Sequence, residues 1–369
     1  MGIRNIYGES NIKDVSCFPH PMFGKKSSDD IKMRRRNLEF KYLDFEGKVR
    51  DIDRQIDELD RLSSVKGIDY SVETRRLNEE KAGELERLYG NLSGEQTVQV
   101  ARHEKRPVLA DYLEHMVKEF REMHGDKCYG DDRAIVCGFG RIGGHKVMVV
   151  GNNKRGVKLA RGASEREALE YSRCYAGCPN PEGFRKALLK MKLAEKFGVP
   201  IVTLIDTPGA YPGIGAEERG QARAIAYNLA EMSKLRVPIV SVVIGEGGSG
   251  GALGIGVADR FAMLQFAYYS VASPEACAGI LWRDGSESAE AAEALKLRSG
   301  DLFKMGLVDA VVGEPLGGAH RNHHDAIGNV KGYVVETLDE LVRIPLDRLV
   351  EERYSKLRDI GKNFIEGIN

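Results

Sequence analysis

With 369 residues, 42% of them hydrophobic, the chain is long enough to bury at least one large core. Lys plus Arg and Asp plus Glu both number 55, so no net field draws it toward nucleic acid or an acidic membrane surface. The six cysteines form no paired C-x-x-C units, and no apolar run approaches the ~20 residues of a membrane helix, so a zinc ribbon and a membrane span are both excluded; a reducing cytoplasm is expected.

Residues 1–36 carry Gly, Pro, Ser and Lys without apolar periodicity and end in Met33-Arg34-Arg35-Arg36, which predicts a disordered tail with Met33 as an alternative start. From about Leu38 onward, Phe45, Val49, Ile52, Ile56 and Leu59 step by four, three, four and three residues, the spacing of an amphipathic helix. Leu77, Leu85, Leu88 and Leu92 predict a second helix beyond a break near Gly67. Residues 37–100 therefore read as a helical hairpin that packs on the core or on a partner.

The pattern changes at residue 101. Val147 to Val150 predicts a short apolar strand, and Pro181 opens a helix whose buried face is Phe184, Ala187, Leu188, Met191 and Ala194. Val199 to Ile205 is an apolar strand, Ala222, Ile225, Ala226, Leu229 and Met232 line another helix, and Val237 to Ile244 is a second buried strand. The two Val-Pro-Ile-Val starts lie 38 residues apart, which marks a repeated helix-strand unit. Ser273-Pro274-Glu275, after a strand at Tyr268 to Val271, echoes Asn180-Pro181-Glu182: a cap, a proline at the first helical position and an acid favoured by the helix dipole. The repeated region is expected to span 101–345 and a final helix 346–369.

Each buried strand ends in a glycine-rich turn, Asp206-Thr207-Pro208-Gly209-Ala210-Tyr211-Pro212-Gly213 after the first and Gly245-Glu246-Gly247-Gly248-Ser249-Gly250-Gly251-Ala252 after the second. Ligands in parallel α/β architectures sit at the carboxyl ends of strands, so both turns are expected to face one site.

The second turn fits three patterns. Gly245-x-Gly247-x-x-Gly250 matches a dinucleotide fingerprint, but the following strand, Leu264 to Ser270, lacks the acidic residue a ribose needs. Gly247-Gly248-Ser249-Gly250-Gly251 matches a nucleophile elbow, with Asp309 and then His320, His323 and His324 in the order of a hydrolase triad. The third reading needs no side-chain nucleophile: closely spaced glycines let first-turn amides converge on a developing oxyanion.

Several of these segments together carry a resemblance. Ile205 to Gly213, Ala216-Glu217-Glu218-Arg219-Gly220-Gln221, Ile244 to Leu253, Ser273-Pro274-Glu275, Ile280-Leu281-Trp282 and Glu314-Pro315-Leu316-Gly317-Gly318-Ala319-His320 follow in the order found in alpha subunits of acetyl-CoA carboxylase carboxyltransferase, and from about Leu38 onward the chain resembles that family. The resemblance implies an α/β fold of crotonase-like (ClpP-like) type, a spiral of repeated strand-helix units preceded by the helical hairpin. It implies transfer of a carboxyl group from carboxybiotin, carried on a separate biotin carboxyl carrier protein, to acetyl-CoA, giving malonyl-CoA for fatty-acid synthesis. The implied partners are a zinc-ribbon beta subunit in an alpha2beta2 heterotetramer and, upstream, biotin carboxylase; no metal is expected in this chain.

By the same resemblance the amides of Gly250 and Gly251 stabilise the biotin ureido oxygen; the Gly209-Ala210-Tyr211 turn is inferred to form the neighbouring wall, and Gly209, Ala210, Tyr211, Gly247 and Gly248 are expected to contribute to substrate binding. Family members carry Gly-His-Gln-Lys-Gly where this chain has Gly151-Asn152-Asn153-Lys154-Arg155-Gly156, and the segment Val157 to Tyr175 is longer than usual. Arg141, Lys146, Lys154 and Arg155 are expected to be solvated surface charges rather than anion ligands. Lys190-Met191-Lys192-Leu193 resembles a biotin-carrier motif but lies within an amphipathic helix, and Cys174 with Cys178 lacks a second pair for a metal. No G-x-x-x-x-G-K-[ST] cradle for ATP occurs.

Overall fold

A computed structural model of the chain describes residues 41–154 and 175–362. The predicted tail at 1–36, Leu38, Arg155, Gly156, the segment from Val157 through Cys174 and residues 363–369 lie outside the described residues. The described residues from Leu43 onward belong to one compact unit.

Four helices come first: α1 (Gly47–Lys66), α2 (Ser71–Tyr89), α3 (Gly94–Ala101) and α4 (Leu109–Met116). α1 buries Val49 and Ile52 and stops at Gly67, whose φ of 66° is left-handed and whose N–H donates to the Ser63 carbonyl at 2.9 Å. α1 and α2 lie side by side, joined by Lys81 to Asp53 at 2.9 Å and Lys48 to Glu84 at 3.3 Å. α3 opens on a reciprocal capping box: Ser93 Oγ accepts from Gln96 N at 3.1 Å, and Gln96 Oε1 accepts from Ser93 N at 2.9 Å.

A mixed eight-stranded sheet forms the centre. Strands β1 (Lys118–Glu122), β2 (Ile135–Ile142) and β3 (His145–Asn152) make an antiparallel meander on one side. Gly138 in β2 is required by close approach, because a Cβ there would sit 2.5 Å from the Arg121 carbonyl oxygen. After β3 come α5 (Pro181–Lys196), β4 (Ile201–Thr207), α6 (Ile214–Glu218), α7 (Gln221–Met232) and β5 (Ile239–Gly248), so the repeated unit is two parallel strands with helical crossovers. Then follow α8 (Ser249–Leu253), β6 (Arg260–Leu264), β7 (Tyr268–Ser270), α9 (Pro274–Leu281), α10 (Ser288–Ala294), α11 (Ser299–Lys304), β8 (Ala310–Val312), α12 (His323–Leu341) and α13 (Leu346–Asp359).

The strand order is β1-β2-β3-β4-β5-β6-β8, with β7 paired to β5 off this path. On the side away from β4, β5 thus serves two neighbours: Val240 to Val243 pair with β6, and Glu246 to Gly248 pair with β7. This extends the strand through Gly245, Glu246, Gly247 and Gly248, which were expected to lie in the turn. Every residue of β4 and β5 is buried. Full burial of each Val or Ile there stabilises the fold by ~1.5–3 kcal/mol before chain entropy is counted, so the strand ends project from a rigid platform.

The predicted buried face of α5 is observed in full. On α7 the stripe is rotated: Gln221, Ala224, Asn228 and Met232 are buried, Ile225 and Leu229 are half-buried, and Ala222 and Ala226 face outward. The reason is polar. Asn228 Nδ2 donates to the carbonyls of Phe184 at 2.9 Å and Gly254 at 2.8 Å, pinning α7 to α5 and to the residue that ends α8.

Candidate functional site

The two glycine-rich segments touch. A Cβ built on Gly248 would lie 2.1 Å from the Pro208 carbonyl oxygen, and one on Gly251 would lie 2.4 Å from the Gly209 carbonyl carbon and 2.7 Å from Ala210 N. Only glycine permits backbones to approach so closely. Gly250 is different: a Cβ there meets only the Ile225 side chain, at 3.3 Å and beyond. Gly247 turns its open face to Tyr269 and the Tyr268 carbonyl rather than to the Gly209 segment, as expected of neighbouring residues in a strand. Tyr211 is held by its backbone, its N–H on the Pro179 carbonyl at 2.9 Å and its carbonyl accepting from Gln221 Nε2 at 2.9 Å.

The break between strand and helix falls on Ser249, which holds a φ of 48°. Gly250 and Gly251 follow in the first turn of α8, where amides have no intrahelical acceptor. The arrangement can receive a negatively charged oxygen on backbone N–H groups.

Immediately before that break lies a buried ion network. Glu246 Oε1 accepts from Arg102 Nε at 2.6 Å and from Tyr268 Oη at 2.6 Å, and Oε2 accepts from Lys154 Nζ. Lys154 also reaches Asp206 Oδ1 at 3.2 Å, and the same oxygen accepts from Glu246 N at 2.9 Å. Gly245 leaves room for that carboxylate, since a Cβ would sit 2.6 Å from Asp206 Oδ1.

Arg102 continues outward to Glu275 in the first turn of α9 at 2.5 Å. Arg106 grips Glu314 with two bonds of 2.9 and 2.6 Å and donates from Nε to the Ile244 carbonyl at 2.8 Å, steadying the residue that precedes the glycines.

Burial opposes charge on Glu246, but Lys154 and Arg102 outweigh it and hold the carboxyl down to about 2. Burial raises Asp206 above the ordinary carboxylate range despite Lys154. Burial would lower Lys154, yet the charges of Asp206 and Glu246 raise it, so it remains an ammonium. Burial and the neighbouring Glu246 raise the Tyr268 phenol, which stays protonated and donates.

Lys154 is therefore not the solvated surface charge expected of it: it is 5% exposed because two carboxylates at the ends of β4 and β5 draw it inward. Lys146 is exposed as anticipated, and Arg141 pairs with Glu119 at 3.2 Å. Lys190 is buried, donating to the carbonyls of His124 at 3.1 Å and Gly125 at 3.2 Å, so it is no carrier lysine on an exposed tip.

The hydrolase triad is not assembled. Asp309 accepts from Phe261 N at 2.6 Å and Lys356 Nζ at 2.8 Å; neither donor is a histidine. His320 is buried against His103 with ring centroids 4.1 Å apart, and burial followed by the His103 charge pushes it down to about 2. His323 is engaged with the Lys105 carbonyl, and His324 is exposed.

The caps at the two Pro-Glu sites differ as well. Ser273 Oγ accepts from Ala276 N at 3.2 Å, whereas Asn180 turns its Oδ1 to Arg219 at 3.3 Å and gives its N–H to Asp132 at 2.7 Å.

The family described as acetyl co-enzyme A carboxylase carboxyltransferase-like matches residues 42–361. The chain belongs to that family. It is 50% identical over 320 residues to the acetyl-coenzyme A carboxylase carboxyl transferase subunit alpha of Rhodopirellula baltica, covering 86% of this chain and 97% of the relative. It is 47% identical to the protein of the same description from Xanthomonas campestris, covering 87% and 97%. Among solved structures it is similar in fold to transcarboxylase 12S, with a TM-score of 0.51 and 20% identity over 64% of this chain and 42% of that one. Glu246 is the member of this ion network least visible in the sequence, where its only signal is a lone acid set among glycines.

Proposed function

We propose that the chain is the alpha half of an acetyl-CoA carboxylase carboxyltransferase and that it supports the biotin side of carboxyl transfer. The substrate is carboxybiotin presented by a separate carrier protein loaded by biotin carboxylase, and the acceptor is acetyl-CoA. When the bond between the ureido nitrogen and the carboxyl carbon breaks, carbon dioxide leaves and the electron pair stays on the ureido group, placing negative charge on its oxygen. The amides of Gly250 and Gly251 receive that oxygen, beside the wall made by Gly209, Ala210 and Tyr211. The ureido nitrogen then takes a proton from the acetyl methyl, and the enolate attacks carbon dioxide to form malonyl-CoA and neutral biotin.

A second oxyanion arises on the thioester, so a second hole is required; we assign it to a zinc-ribbon beta chain in an alpha2beta2 complex. The finer fold description, a crotonase-like spiral preceded by a helical hairpin at 37–100, and a cytoplasmic location belong to the same reading. The observation that supports it is the close approach of Gly248 and Gly251 to Pro208, Gly209 and Ala210, which brings the ends of two strands beside the first turn of α8.

The test is reconstitution: malonyl-CoA formation from carboxybiotin is expected from the complex and from neither chain alone. A glycine-to-alanine change keeps the N–H, so the test works by displacement: the Cβ of Gly251→Ala would lie 2.4 Å from the Gly209 carbonyl carbon and must shift the backbone that carries its amide, whereas the Cβ of Gly250→Ala meets only a side chain that can shift. The complex carrying Gly251→Ala is expected to lose about 100-fold in kcat, and the one carrying Gly250→Ala to assemble and stay within about ten-fold of wild type. Wild-type turnover in an assembled Gly251→Ala complex removes the amides from the mechanism.

A further inference from the structure

Between Ile244 and Ser249 the chain has one side chain beyond glycine, that of Glu246. Glycine backbone has the greatest freedom to lose on folding and brings no side-chain packing to hold it, so this carboxylate is the one anchor that the glycine segment's own side chains supply to the strand end that leads into α8. It is 4% exposed and gathers donors from three separate elements: Arg102 just past α3, Lys154 just past β3 and Tyr268 in β7. Its own N–H is fixed on Asp206 at the end of β4 at 2.9 Å, and its backbone is paired in register with Tyr268.

We propose that Glu246 is a positioning residue for carboxyl transfer: by holding Arg102, Lys154 and Tyr268 together it fixes the glycine strand end from which the amides of Gly250 and Gly251 extend. Arg102 and Lys154, shared with Glu275 and Asp206, also lie against the carboxylate and offset its charge, which lessens its opposition to negative charge developing on the substrate. The proposal rests on the reading of those amides given under Proposed function, and the experiment separates the two. Turnover by the wild-type complex tests that reading, and a complex without turnover overturns both; comparison of variants with an active wild type tests the positioning role alone.

Glu246→Gln retains shape and removes charge. In the assembled complex its kcat is expected to fall about 10- to 100-fold while KM for acetyl-CoA stays within about two-fold, the signature of an interaction used in the transition state rather than in binding. Tyr268→Phe removes the donor to Glu246 and an acceptor of Arg102 and leaves both ion pairs, so it is expected to fold; its kcat is expected to fall about three- to ten-fold, again at constant KM. Should Glu246→Gln fail to fold or assemble, Tyr268→Phe decides. An unchanged kcat in either assembled variant, or a loss that appears only as a raised KM, overturns the proposal.

Discussion

Ser249 is a non-glycine residue in the left-handed region, with φ of 48°, a conformation that costs an L-residue ~1–2 kcal/mol. It occupies the junction at which β5 becomes α8, and the strain is the physical consequence of turning a strand into a helix within one residue. If the amides that follow it do the chemistry, the hydroxyl is dispensable. Ser249→Gly is then expected to keep carboxyl transfer within about three-fold and to raise stability by up to ~1 kcal/mol in thermal unfolding, the relief of strain being partly offset by glycine's unfolded-state entropy. A drop of two or more orders of magnitude in turnover would shift the chemistry to the serine. At this scale the glycines were legible, because tight backbone approach has a compositional signature. Glu246 was not, since Arg102, Lys154 and Tyr268 are 144, 92 and 22 residues away and nothing local announces their convergence. Lys154 was misread for the same reason: a lysine at a strand end looks solvated until the carboxylates of two other strands are placed beside it.

Among the elements, the parallel repeat was readable because apolar strands and helices with their own periodicity write themselves into the sequence. The antiparallel meander was less so: β2 has no fully exposed residue and is interrupted by Gly138 and Gly140, which removes the alternation that a strand with one solvated face displays. α7 was recognised as a helix but rotated, since its central contact is the amide of Asn228 and not an alkyl group. The final helix offers a parallel case. Arg353 of α13 is 1% exposed and donates to both Asp259 oxygens, at 2.8 and 2.7 Å, and to the carbonyls of Met232, Leu235 and Val237. This fork closes the loop between α7 and β5, and Asp259 in turn accepts from Ile239 N at 2.7 Å where β5 begins. Arg353→Ala strands a buried carboxylate and three carbonyls, so a loss of ~3–5 kcal/mol is expected in denaturant unfolding. Arg353→Lys is expected to recover only part of it, because an ammonium cannot reproduce the planar fork.

For the molecule as a whole, stability as a function of pH has contributions from carboxylates that burial and pairing move in opposite directions, beside that of His320, which is present above 6.5 and lost as pH falls toward about 2. Burial pushes Asp132 up to about 6 from its ordinary 3.8, in spite of the N–H groups of Ala134 and Asn180 that it accepts. A raised acid favours the protonated folded form, so its contribution is present below the unfolded value and is lost as pH rises through about 6. Glu246 runs the other way: held down to about 2 from 4.5, it contributes above 4.5 and loses that contribution as pH falls toward 2. The two are separable by substitution. Asp132→Asn gives up an acceptor at every pH, which produces a constant offset in Tm, but it also removes the charge that the fold resists. Relative to the wild type, its Tm is expected to rise by a few degrees, ~2–5 °C, between about pH 4 and 6 and to run parallel above that. Glu246→Gln is expected to fall behind the wild type as pH rises from about 2 to 4.5 and to run parallel to it above that. Thermal unfolding of the three proteins across the pH range checks both signs at once. A Tm difference for Asp132→Asn that is flat from pH 4 to 7 would mean that this carboxyl ionises as freely in the folded chain as in the unfolded one, and that the N–H groups of Ala134 and Asn180 fully offset its burial.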